Sequence, residues 1–135
     1  MLLISFSKMF WLVLLFGLCI GSFLNVVIYR IPRKQSVVFP RSKCVQCKAT
    51  LEWHDLIPIF SWLKLGGKCR RCSAKISIRY PLVELLTSCL FLSSIYRISH
   101  YQVENISLLS HLLSLIFISI LICISFIDID HMFIP

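Results

Sequence analysis

The sequence predicts an all-α integral membrane protein, with about three transmembrane helices and one small cysteine-rich loop domain. Three observations predict it. Of the 135 residues, 58% are hydrophobic and the mean hydropathy is +0.85, too apolar for a soluble domain of this length. The apolar residues gather into runs long enough, at about 1.5 Å per residue, to cross a ~30 Å hydrocarbon core. Of the 14 lysines and arginines behind the net charge of +8, 12 lie between Arg30 and Arg79, leaving only Lys8 and Arg97 outside.

A basic segment between apolar runs is what the positive-inside rule produces. It places residues 31–80 in the cytoplasm and the N-terminus on the far side of the membrane. The same charge would suit a nucleic acid, but the segment has no recognition-helix pattern and no aromatic platform for stacking bases, so no nucleic-acid partner is expected.

Residues 1–30 hold the first span, with Met9 to Tyr29 interrupted only by Ser22 and Asn25. A cleavable signal peptide is the rival reading, but the run is long, no small-x-small site ends it, and Arg30, Arg33 and Lys34 follow directly. Gly17 and Gly21 form a G-x-x-x-G that would let a neighbouring helix approach closely, a surface a homo-oligomer could also use. Residues 31–80 change character, with Pro32, Pro40, Pro58, Gly66 and Gly67 punctuating short apolar pieces such as Leu56 to Leu65. They read as a small polar domain of loops and short elements.

The second span, 81–98, begins at Pro81 and carries Glu84 in its first turn, where a helix N-terminus tolerates negative charge. Asn25 and Glu84 are polar groups within or at the edge of spans. A helix-pairing or functional role and a simple interfacial placement are both open for Glu84. A polar connector, 99–105, leads to a third span, 106–127, rich in Leu and Ile. With the basic loop inside, the second span runs outward and the third returns, so Asp128 emerges at the cytoplasmic face, followed by Asp130 and His131. Their chemistry alone suits a solvated helix end as well as a catalytic group. No longer repeat is expected.

Three of the seven cysteines, Cys19, Cys89 and Cys123, sit in apolar runs. The other four form two pairs, Cys44-x-x-Cys47 and Cys69-x-x-Cys72, 21 residues apart. Two such pairs close a tetrahedral zinc site in zinc ribbons and similar modules, and a reducing cytoplasm favours metal over disulfides. Lys43, Lys48, Lys68, Arg70 and Arg71 would favour the thiolates. Structural zinc on Cys44, Cys47, Cys69 and Cys72 is therefore expected, stapling a domain with little core of its own.

Taken in order, GSFLNVVIYRIP (Gly21 to Pro32), the paired CxxC, LIPIFSWL (Leu56 to Leu63), GKCRRC (Gly67 to Cys72), ISIRYPLVELL (Ile76 to Leu86) and FIDIDHMFIP (Phe126 to Pro135) resemble type IV prepilin peptidases. The resemblance covers residues 14 to 135. It departs at Val45, where the family often has proline, and at Leu56, where many members have asparagine.

The resemblance implies an enzyme of the bacterial inner membrane that cleaves the basic leader from prepilins and pseudopilins on the cytoplasmic side. In many members it then N-methylates the new terminus with S-adenosylmethionine. It places one catalytic aspartate at Asp128 and a second after a glycine-rich motif in a later span, which this chain does not contain. Two carboxylates are needed because one must be ionised to activate water while the other stays protonated to polarise the scissile carbonyl. The expectation is a chain truncated after the first aspartate motif and inactive alone. The alternative is a non-catalytic membrane module whose zinc loop binds pilin precursors or assembly partners.

Overall fold

A computed structural model describes residues 2–100 and 108–132. Most of the connector 99–105, the start of the third run and the last three residues of the FIDIDHMFIP motif lie outside the described residues. Three long helices, α1 (Leu2–Arg30), α3 (Arg79–His100) and α4 (Leu108–Met132), are joined between α1 and α3 by a loop module that holds one 3-10 turn (Trp53–Leu56) and the short helix α2 (Phe60–Lys64). Among the described residues there is no strand, only two isolated antiparallel bridges.

Helix α3 begins two residues before the expected Pro81. Ser77 makes this possible: its Oγ accepts from the Arg79 N–H at 3.2 Å. Pro81 then falls in the first turn, where its missing N–H has no intrahelical partner to lose.

Helices α1 and α3 run antiparallel and in step. Gly17 lies against Ser88, Gly21 against Glu84, and the Asn25 amide donates to the Tyr80 carbonyl at 3.0 Å. A Cβ at Gly17 or Gly21 would come within 2.6 Å of the Cα of Ser88 or Glu84, so only glycine permits this approach. The G-x-x-x-G surface is thus occupied by α3 of the same chain. Val83, Glu84, Thr87, Ser88 and Phe91 are buried on one stripe of α3, while Leu82, Leu85 and Leu86 face outward. Leu24, Ile28, Val83 and Ile122 form the shared core where α4 joins the pair, with Phe126 and Ile127 packed beside it.

Helix α4 leaves Leu109, Leu112, Leu113, Ile116, Phe117, Ile120, Leu121 and Ile124 exposed, an apolar surface larger than soluble proteins carry. Among the described residues two helices are long and apolar enough to cross a membrane, over Lys8–Arg30 and Leu109–Asp130. The sequence led us to expect about three. The middle helix falls short because Arg79, Glu84, Thr87 and its serines dilute its apolar residues.

Candidate functional site

Cys44 and Cys69 open two copies of one turn. The octapeptides KCVQCKAT (43–50) and KCRRCSAK (68–75) stand at an offset of 25 residues, and their hydrogen bonds repeat at that offset. The N–H of Cys44 donates to the Ala49 carbonyl at 2.9 Å, and that of Cys69 to Ala74 at 2.8 Å; Lys48 donates back to Cys44 at 3.0 Å, and Ser73 to Cys69 at 2.9 Å. Lys43 bridges Thr50 and Lys68 bridges Lys75. Lys48 and Ser73 adopt φ of 58° and 57°, a left-handed conformation that non-glycine residues enter only when their surroundings demand it. Here the demand is to turn both cysteines of each pair toward one point. The repeat was not foreseen from the sequence, although the shared K-C-x-x-C-x-A would have shown it.

The four Sγ atoms of Cys44, Cys47, Cys69 and Cys72 all lie within 4.8 Å of one another, and Cys44 Sγ stands 3.8 Å from Cys72 Sγ. A tetrahedral ion with bonds of about 2.3 Å to sulfur sets its ligands roughly 3.8 Å apart, so the cluster is compatible with zinc. Disulfide bonding would need about 2.05 Å, and all seven cysteines are free. The backbone N–H groups of Cys72 and Arg71 point at Cys69 and hold its thiol down at about 6. At Cys72 the Ala74 N–H pulls the same way, but burial and the neighbouring sulfurs of Cys47, Cys69 and Cys44 outweigh it and push the thiol up to about 11. Four thiolates this close repel one another, and a divalent cation at their centre removes that repulsion.

The rest of the module is braced by a few polar contacts. The Asp55 side chain, only 8% exposed, accepts from Arg70 Nε at 2.9 Å and from its NH2 at 2.7 Å, tying the 3-10 turn to the second knuckle. Burial alone would raise Asp55, but the Arg70 hydrogen bond, the Glu52 N–H and the charges of Arg70 and His54 bring it below the usual carboxylate value. The Trp62 indole donates to the Ile76 carbonyl at 3.1 Å, and its ring lies so close to Gly67 that a Cβ there would meet it at 2.8 Å.

Two contacts fasten the module's surroundings to the helices. Glu84 Oε2 accepts from the Ile59 N–H at 2.7 Å, so one buried carboxylate of α3 holds the loop. Arg30, at the end of α1, donates to the carbonyls of Ser36 and Pro40 at 2.8 Å each. Between the module and the helices lies an open groove of about 1110 Å³ whose walls include Asn25, Glu84, Cys44 and Arg70.

Asp128 lies exposed near the end of α4. One turn-fraction further on, Asp130 is engaged by Arg79, whose NH1 donates to both carboxylate oxygens at 2.6 Å while its guanidinium stands 5.7 Å from the Phe126 ring. Arg79 is the site residue the sequence did not single out, being one of 12 bases in the loop segment. The structure thus brings the four cysteines together and ties the end of α4 to the start of α3. Among the described residues it sets no second carboxylate against Asp128.

The family model described as Bacterial Peptidase A24 N-terminal domain matches residues 15–98. The chain is 47% identical over 119 residues to the prepilin leader peptidase/N-methyltransferase of Myxococcus xanthus (strain DK1622), covering 88% of this chain and 33% of that protein. It is 42% identical over 139 residues to the type 4 prepilin-like proteins leader peptide-processing enzyme of Escherichia coli O78:H11 (88% of this chain, 48% of that one). Against the prepilin leader peptidase/N-methyltransferase of Bacillus subtilis (strain 168) it is 42% identical over 121 residues (90% and 46%). The chain therefore spans between a third and a half of the curated relatives it matches. No solved structure matches it significantly. Together with the paired knuckles and the helix order, the match over most of its length shows that this chain belongs to the bacterial A24 peptidase family, the prepilin leader peptidases, as their N-terminal part.

Proposed function

We propose that this chain forms the N-terminal part of an inner-membrane aspartic peptidase that removes the basic leader from prepilins and pseudopilins. In this reading α1, α3 and α4 all cross the bilayer, with the cysteine module in the cytoplasm and the N-terminus in the periplasm. For α3, the support is that Glu84, Thr87 and Ser88 are buried against α1 while leucines face outward, so its lipid-facing surface is more apolar than its composition. Cys44, Cys47, Cys69 and Cys72 hold a structural zinc ion that locks the two knuckles together.

The observation that carries the reading is the Arg79–Asp130 pair. It holds the inner end of α4, and with it Asp128, beside the start of α3, where the module joins the helices. Asp128 is one catalytic carboxylate. Its partner has to come from residues other than those described here, because Asp130 is taken by Arg79 and Glu84 by Ile59. With both acids in place, the ionised one draws the proton from a water as it attacks, and the protonated one polarises the scissile carbonyl. N-methylation is part of the same reading through the relatives' names, with S-adenosylmethionine as the donor that the resemblance implies. Nothing among the described residues singles out a site for that cofactor, and no step is assigned to it.

The test is a chimera in which this chain replaces the matching part of the Bacillus subtilis relative. In membranes it is expected to cleave a prepilin, and Asp128→Asn is expected to abolish cleavage. Retained cleavage with Asp128→Asn would overturn the assignment. The exposed setting of Asp128, with no second carboxylate against it among the described residues, favours a second reading, a zinc module that holds prepilins without cutting them. That reading predicts prepilin capture by this chain that depends on the four cysteines and not on Asp128.

A further inference from the structure

The stretch after the first knuckle carries large apolar side chains on the outside of the molecule. Leu56, Ile57, Phe60 and Leu63 are exposed, the last two by 61% and 64%. Phe60 and Leu63 are three residues apart on α2 and share a face. The other side of α2 is committed inward, since Trp62 donates to Ile76 and lies on Gly67. In water an arrangement of this kind is unfavourable.

Its height along the helices explains it. Ile59 is bonded to Glu84 at 2.7 Å, and Glu84 lies level with Gly21 of α1. At about 1.5 Å per residue, Glu84 stands about 7–8 Å past Arg79 along α3, and Gly21 about 13 Å before Arg30 along α1. Arg30, Arg33 and Arg79 are the charges that set the headgroup level, as basic residues at span ends do. The Ile59 backbone therefore lies roughly 7–13 Å below those charges, at or just past the depth of about 5–10 Å where interfacial apolar faces come to rest. A free N–H at that depth is costly, and the Glu84 carboxylate removes the cost for Ile59.

We infer that the Leu56–Leu63 segment dips into the cytoplasmic leaflet, with Phe60 and Leu63 against the acyl chains of the membrane that α1 and α3 cross. The inference rests on the proposed spanning of α1 and α3. The occupant of this surface is lipid and not a second protein, because the bond to Glu84 fixes the segment beside two membrane helices at acyl-chain depth. Lys64, at the end of α2, returns the chain to the headgroups.

The experiment places the photoreactive residue p-benzoylphenylalanine singly at Phe60, Leu63, Leu86, Phe117 and Lys48 in the full chain. Each protein is reconstituted in phosphatidylethanolamine and phosphatidylglycerol vesicles, and acyl-chain adducts are read by mass spectrometry after irradiation. The expected result is adducts at Phe60 and Leu63 comparable to those at Leu86 and Phe117, and none at Lys48 in the first knuckle. Adducts at Leu86 and Phe117 without any at Phe60 and Leu63 would overturn the inference and leave the spanning helices standing. Loss of adducts at Leu86 as well would overturn the spanning of α3 and the inference together.

Discussion

Arg79 grips Asp130 through a single nitrogen, NH1, which lies 2.6 Å from each carboxylate oxygen across 51 residues of chain. Both side chains are about one-third exposed, so water screens the pair and its contribution to stability is only about 0.5–1 kcal/mol. Its expected effect is on position. Arg79→Gln in the chimera should slow prepilin cleavage by about tenfold or more, since misplacing a reacting group by an ångström can cost about 100-fold. Combining Arg79→Asp with Asp130→Arg should recover part of that rate, whereas a purely stabilising role would leave the rate of the folded enzyme unchanged in both variants.

The cysteine cluster predicts one zinc per chain by elemental analysis, lost when any one of Cys44, Cys47, Cys69 or Cys72 becomes serine. In the metal-free module the depressed Cys69 thiol has a definite sign. Its thiolate contributes stability that is present above the ordinary thiol value and is lost as pH falls through about 6. Cys72 moves the other way and matters only at alkaline pH. Protons compete with metal for the same thiolates, so zinc binding should weaken as pH falls. The ultraviolet thiolate absorbance of the chelated protein should show a step near pH 6 that Cys69→Ser lacks.

Gly66 and Gly67 separate two roles that glycine can have. Both have positive φ, but a Cβ at Gly66 meets nothing within 4 Å, whereas one at Gly67 meets the Trp62 ring at 2.8 Å. Gly66→Ala should lower module stability by about 1 kcal/mol, the penalty of a left-handed alanine. Gly67→Ala should exceed it by about 1–3 kcal/mol, as overpacking does. Trp62 fluorescence during chemical unfolding reads the difference.

Gly17→Leu or Gly21→Leu should force α1 from α3, because even a methyl there collides with backbone at 2.6 Å. Thermal unfolding in nanodiscs should begin well below the wild-type temperature. The oligomeric state by mass photometry should not change, since these glycines face the chain's own α3.

Long helices and the gathering of four cysteines were legible because apolar run length and cysteine spacing are one-dimensional signals. The offset of the knuckles was also written in the chain, as K-C-x-x-C-x-A twice over, and was overlooked because it is short. What escaped were relationships between distant residues. Nothing local marks Arg79 among its basic neighbours, or reserves Glu84 for the Ile59 N–H, until the antiparallel register of α1 and α3 is known. Gly17 and Gly21 announced a close helix contact, but not whether the partner was the same chain. Asp128 drew its meaning from the resemblance, and its exposed position at the end of α4 adds location without chemistry.

For the proposed zinc ion, the twofold repetition of the cysteine turn bears on how it would enter and leave. Each turn is closed by its own short-range hydrogen bonds, so each presents two sulfurs before the other has arrived. An ion first held by one pair meets the second at a high effective concentration set by the connecting residues. Exchange then runs through a half-released intermediate, and a rival chelator needs to engage only two vacated positions at a time to draw the ion away.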